Sequence, residues 1–441
     1  MQRILALAKL ISLLIALLHQ SISYGQSPYN QTVEKVQKLL ETNYIFLDKA
    51  KETNTHLDKL MKEGSFEGKS PGDFAEFLTQ EMRSITKDKH LRFRWNKQTS
   101  KSSKKESTFK DNFSRYNAPM LRGFTLMEGN IGYIDLAYFG GTPIHTSKID
   151  LVMNEMQVAD AIIIDMRRNG GGSPITVNYL SSYFFEEKLL LNTIHSRADN
   201  HSEEMWVVKT IGPKRPKVPV YILTSKKTFS GAEDFSYTMQ SRKRAVVIGE
   251  VTGGGAHPTR YHSIDGTDFG ISIPFARTVN TVTKTNWEGT GVTPDIKIKA
   301  SDALAKAKEL AKLEAAKYND VLFKPLENAI NELKNDNTEI IKQLEYLVTS
   351  GILDEPEING LGYSYLQRGQ KEAALAIFNA NTTLFPKSAN VYDSYAEALA
   401  TNNQKDLALI NYQRAVKTAT ENKDEQLELF QNNLKAFQEK K

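Results

Sequence analysis

Four segments hold side chains suited to nucleophilic catalysis. The first is KKTFSGAEDF, Lys226–Phe235, which follows the apolar run VPVYILT and opens a helical pattern. A serine on a strand-to-helix turn presents its hydroxyl at an exposed point, with the positive helix end behind it to favour developing negative charge. Ser230 stands at such a turn. The same residues also fit a helix cap, Ser230 with Glu233 three positions on, and taken alone the segment reads first as an N-terminal cap. The second segment is DMRRNGGG, Asp165–Gly172, directly after AIII. Its glycines reach backbone conformations closed to other residues and leave amide N–H groups open to an anion, although a plain strand-to-helix turn needs the same residues. No Gly-Lys-Ser/Thr follows and GxGxxG spacing is absent, which argues against a phosphate loop. The third is NWEGTGVTPD, Asn286–Asp295, where Glu288 lies between an aromatic and a glycine and can orient a histidine or a water. Finally, DKHLRF carries His90, and His257 in GGGAHP competes with it for the role of a base.

The elements around these segments alternate in type. From about Leu121 to Lys299 the strand-like runs IGYIDL, AIIIDMR, VPVYILT and AVVIGE are separated by helical patterns at 147–158, 176–185 and 232–240, the signature of an α/β domain with buried strands. Upstream, Val33, Val36, Leu39 and Leu40, then Phe74, Phe77, Leu78 and Met82, recur at helical spacing and predict an N-terminal helical domain over 26–95, with Ser70 capping the helix that starts at Pro71. Residues 96–120 contain KQTSKSSKKESTFK and read as a Lys/Ser-rich linker between that domain and a core over 121–300. Beyond Ala300 the pattern is helical: a connector over 301–354, with helices at 302–318 and 324–350, then a repeat region over 355–441. Offsetting the chain by 34 residues aligns Ala374 with Ala408 and Phe378 with Tyr412, a period and residue pairing that resemble tetratricopeptide repeats and point to a peptide or protein partner there.

Composition narrows the classes. The 441 residues are 40% hydrophobic and 25% charged, as expected of a folded globular chain. The net charge of +5 is spread along the sequence, which gives no case for nucleic acid as partner. The absence of cysteine excludes disulfide frameworks, thiolate metal sites and cysteine nucleophiles. Residues 1–25 read as a signal peptide, with Arg3, an apolar run Ile4–Leu18 interrupted by Lys9, and small residues Ser23 and Gly25 before Gln26. Its removal predicts a periplasmic or extracellular protein with no stable membrane span.

Taken in order, the histidine, the glycine-rich strand end, the serine at a helix start, GEVTGGG and NWEGTGVTPD resemble the C-terminal processing and tricorn-type serine peptidases. Most similar are the secreted members that resemble the domains of interphotoreceptor retinoid-binding protein. The resemblance implies a crotonase-like β/α spiral core between the N-terminal helical domain and the C-terminal helical repeat region. It implies Ser230 as nucleophile, His90 as base, Glu288 as supporting carboxylate, and an oxyanion hole from Gly170 or Gly171 with Gly231. The lysine base of the Ser/Lys members is replaced here by Gly255, and the serine that precedes the tricorn histidine is replaced by Lys89. The usual PDZ domain has no counterpart in the sequence. The implied activity is endopeptidase hydrolysis of unfolded or C-terminally exposed polypeptides through an acyl-enzyme, without metal or organic cofactor. The alternative is an inactive homologue that binds an apolar ligand or a peptide.

Overall fold

The computed structural model describes residues 27–96, 120–141, 143–333 and 336–439. The expected signal peptide and nearly all of the Lys/Ser-rich linker lie outside these residues. In chain order the elements are α1 (Asn30–Asn43), α2 (Leu47–Lys62), α3 (Pro71–Thr86), β1 (Arg92–Trp95), β2 (Leu121–Met127), β3 (Ile131–Leu136), α4 (Pro143–Glu155), β4 (Ala161–Asp165), α5 (Pro174–Ser182), β5 (Leu190–Ser196), β6 (His201–Trp206), β7 (Val220–Thr224), α6 (Gly231–Ser241), β8 (Val246–Gly249), β9 (Thr259–Ser263), β10 (Phe269–Pro274), β11 (Ala276–Asn280) and β12 (Ile296–Lys297). Seven helices follow: α7 (Ala303–Asn331), α8 (Thr338–Thr349), α9 (Glu355–Gln367), α10 (Lys371–Leu384), α11 (Ala389–Thr401), α12 (Lys405–Asn422) and α13 (Leu427–Glu439). None of the described helices is long and apolar enough to cross a membrane.

The chain divides into two compact units. The first takes the described part of Met1–Asn117 together with Asn192–Met205 and Gly254–Gly291. Helices α1–α3 bury Val33, Val36, Leu40, Leu57, Phe74, Leu78 and Met82 in one core with Phe93 of β1 and Phe269, Ile271 and Ile273 of β10. Ser70 caps α3 by accepting the Asp73 N–H at 3.2 Å, and Lys87 ends the helix at φ 57°. The helical segment is therefore tied to strands that come much later in sequence: β1 pairs antiparallel with β10, which pairs with β9. A second three-stranded sheet has the order β11-β5-β6.

In the second unit, Ala118–Leu191, Trp206–Gly253 and Val292–Lys441, six strands lie in the order β12-β8-β7-β4-β3-β2. All pairings are parallel except β2 with β3. The central strands β4 and β7 are apolar on both faces because both are covered, whereas the edge strand β2 is largely exposed. Ile162, Ile164, Val220, Ile222 and Val247 pack with α4, α5 and α6. On the opposite face Ala161, Ile163, Tyr221, Leu223 and Ile248 meet Ala303, Ala307, Ala311 and Ala315, a stripe of small residues at four-residue spacing that lets α7 lie close to the sheet. Helix α7 runs without a break to Asn331 although Pro325 lies inside it, where two helices were expected. Tyr318, Leu322, Leu326 and Ile330 continue one buried stripe past the proline, and that burial offsets the roughly 3 kcal/mol an interior proline costs. The expected 34-residue offset is visible in the elements: α9 and α11 start 34 residues apart, as do α10 and α12.

Candidate active site

The carboxyl ends of β4 and β7 carry the serine and the glycine loop, both within the second unit. After β7 the chain turns through Ser225–Ser230 into α6. This turn is bonded to the loop after β4: Ser225 Oγ donates to the Arg167 carbonyl at 2.6 Å, Thr228 Oγ1 to the Met166 carbonyl at 2.8 Å, and the Phe229 N–H to the Asn169 carbonyl at 3.1 Å. Ser230 itself is half-buried, with φ 54° and ψ −121°, a conformation that costs a non-glycine residue of order 1–3 kcal/mol. Its N–H donates to Glu233 Oε2 at 2.8 Å. Glu233 is fully buried and its other oxygen accepts the Thr252 hydroxyl. The predicted serine-to-glutamate relation is therefore present, and it holds Ser230 by its backbone from behind.

Gly171 fits against this turn because it has no side chain. A Cβ there would lie 2.6 Å from the Gly231 nitrogen and 2.7 Å from Ser230 Cβ, at a φ of +101°. Its N–H donates to Asn169 Oδ1 at 2.8 Å, and Asn169, fully buried, donates in turn to the Leu136 carbonyl. Of the three expected oxyanion donors, Gly171 is thus already engaged. The amides of Gly170 and Gly231 have no hydrogen-bond partner among the described residues.

His90, His257 and Glu288 lie in the first unit, and a residue the sequence reading passed over joins them. Asp88, 1% exposed, accepts the His90 N–H through Oδ1 at 2.9 Å. Through Oδ2 it accepts His257 Nδ1 at 2.7 Å and the Tyr44 hydroxyl at 3.3 Å. A carboxylate can only accept here, so the proton sits on Nδ1 of His257 and Nε2 offers a lone pair. The Phe46 ring meets the imidazole edge-on at 5.5 Å. Glu288 Oε2 lies 3.5 Å from His257 Nδ1 and accepts the Ala256 N–H at 2.5 Å. Trp287 beside it is buried and donates to the Gly255 carbonyl at 2.7 Å.

The two imidazoles differ electrostatically. Burial pushes His90 down to about 4, against a smaller upward pull from Asp88. For His257 burial also acts downward, but the hydrogen bond and charge of Asp88 and the charge of Glu288 outweigh it, and its pKa is raised. Asp88, His257 and Glu288 offer three ligating atoms within 4.8 Å of one another. A metal ion there would have to displace the proton that His257 shares with Asp88.

Residues 130–298 match Peptidase family S41, and residues 19–121 match the N-terminal domain of that family in eukaryotic IRBP. The chain is thus similar to peptidase family S41 over a segment that covers less than half its length. Within 145 residues it is 25% identical to a carboxyl-terminal-processing protease of Synechocystis; the alignment spans 33% of this chain and 33% of that relative. Among solved structures, a peptidase candidate from Parabacteroides merdae shares 19% identity over 65% of this chain and 96% of its own, with a TM-score of 0.47. The photosystem II D1 C-terminal processing protease shares 14% identity over 62% of this chain and 94% of its own, with a TM-score of 0.42. The S41 match begins one residue before β3 and ends just beyond β12, so it spans Ser230, the glycine loop, His257 and Glu288.

Proposed function

We propose that this chain is a serine peptidase that hydrolyses unfolded or C-terminally exposed polypeptides in the periplasm or outside the cell. The observation that carries the reading is Ser230 itself, held at positive φ at the start of α6, with the amides of Gly170 and Gly231 lacking a hydrogen-bond partner among the described residues. A strained backbone at a strand-to-helix turn is the arrangement that exposes a nucleophile. The S41 match over residues 130–298 supports the reaction class, and the apolar run Ile4–Leu18 supports export.

In this mechanism Ser230 Oγ attacks the peptide carbonyl carbon while His257 Nε2 takes its proton. The base is reassigned from His90 to His257 on one observation, the 2.7 Å hydrogen bond from its Nδ1 to Asp88. That bond fixes the tautomer and stabilises the imidazolium, and the raised pKa brings the base closer to neutral pH than a histidine near 4. Glu288 adds a second negative charge beside the imidazolium. The tetrahedral oxyanion is stabilised by the N–H groups of Gly170 and Gly231, where losing one donor costs about 10²–10³ in rate. Collapse expels the amine, which takes the proton from His257, and water then hydrolyses the acyl-enzyme by the same path in reverse roles. The C-terminal helix pairs, tetratricopeptide-like in period, serve a peptide or protein partner.

Incubation of the mature protein with an unfolded polypeptide, with products identified by mass spectrometry, tests this reading. Cleavage by the wild type and none by Ser230→Ala is the expected result. Absence of cleavage by both supports the inactive, ligand-binding alternative.

A further inference from the structure

Within the first unit a groove of about 680 Å³ runs along one face of α3 beside β1. The small residues Gly72, Ala75 and Thr79 are among those lining it, with three arginines, Arg83 from α3 and Arg92 and Arg94 from β1. Glu76 is the one acidic residue among those lining it. None of the three guanidiniums forms an ion pair among the described residues. Arg83 donates instead to the carbonyls of Leu91 and Lys89. Burial, and the neighbouring charges of Arg92 and Arg94, hold its pKa below the usual value. Three like charges against the single acid Glu76 in the lining leave an excess of positive charge that an anion would neutralise.

We propose that this groove binds an extended acidic peptide segment through carboxylates on alternate residues. Arg92 and Arg94 are both exposed on one side of β1, two residues apart, while Phe93 between them is buried. That spacing of about 6.6 Å equals the distance between alternate side chains of an extended chain. From Gly72 to Arg83 the helix face is about 16 Å long, room for roughly five extended residues. Strand addition is not the mode of capture. At the centre of the outer edge of β1 the backbone is already bonded, since the Phe93 N–H donates to Thr79 Oγ1 at 3.0 Å and the Phe93 carbonyl accepts the same hydroxyl at 2.9 Å. Recognition falls to the guanidiniums, whose planar forks suit carboxylates. The binding does not require the chemistry proposed for Ser230.

Fluorescence anisotropy with the full-length Ser230→Ala protein tests this, using a labelled seven-residue peptide with glutamate at alternate positions and its glutamine counterpart. The glutamate peptide is expected to bind at least tenfold tighter in low salt, and the double substitution Arg92→Gln/Arg94→Gln to remove about tenfold of that affinity without changing the melting temperature. Equal binding of the two peptides, or full affinity in the double variant, overturns the proposal. Displacement of the glutamate peptide by an equal concentration of inorganic phosphate also overturns it, because the site would then be one for compact anions. Catalysis enters none of these readings, so failure here leaves the peptidase proposal standing and failure of that proposal leaves this one testable.

Discussion

Asp88 sets the protonation of the proposed base. It holds the Nδ1 proton of His257 and raises the pKa of that imidazole above its usual value near 6.5. A base must be neutral to accept a proton, so activity falls as pH drops through the raised pKa. The acid limb of kcat/KM therefore lies above about 6.5. Asp88→Asn removes the charge and the tautomer control together. It is expected to lower kcat by about 10³–10⁴ and to move the limb to lower pH, as a pH–rate profile would report. An unchanged limb would show that Asp88 does not act through the titrating group. Gly171 makes a different demand, for space. Gly171→Ala forces a Cβ into the Ser230–Gly231 turn at a positive φ, and is expected to cost about 2–4 kcal/mol in chemical denaturation and to lose cleavage with it.

At the level of elements, the sequence shows what local physics determines. Runs such as AIII and VPVYILT are β4 and β7 because strands covered on both faces are apolar throughout. The helix after Ser230 and the cap at Ser70 follow from short-range hydrogen bonding, and both are present. Ser230, His90, His257 and Glu288 were legible because their residue types and flanking glycines or aromatics are unusual. Asp88 was not, since an aspartate between two lysines in KDKH looks like a solvated turn until a chain segment 169 positions away brings His257 to it. Pairing of β1 with β10 was hidden for the same reason, as nothing local in RFRW specifies its distant partner. The continuity of α7 across 319–323 is not legible locally, because the buried stripe Tyr318, Leu322, Leu326 and Ile330 that carries it belongs to the tertiary core.

At the scale of the whole molecule, the C-terminal helices cannot be treated as an appendage of the second unit. Leu344 and Leu347 of α8, Ile358 of α9 and Ile377 of α10 share one buried cluster with Ile162, Ile222 and Phe235 of the α/β core. Ile377→Ala is accordingly expected to cost about 2–5 kcal/mol and to lower the denaturation midpoint of that core. A midpoint unchanged within error would mean that the helices unfold independently. The central claim is that Ser230 is a nucleophile activated by His257, and its most direct test is labelling with a fluorophosphonate, read by mass spectrometry of the tryptic peptides. A phosphonylated Ser230 is expected in the wild type and in His90→Asn, with the rate falling at least a hundredfold in His257→Ala. Modification at another serine, or wild-type labelling of Ser230 in His257→Ala together with its loss in His90→Asn, would contradict it.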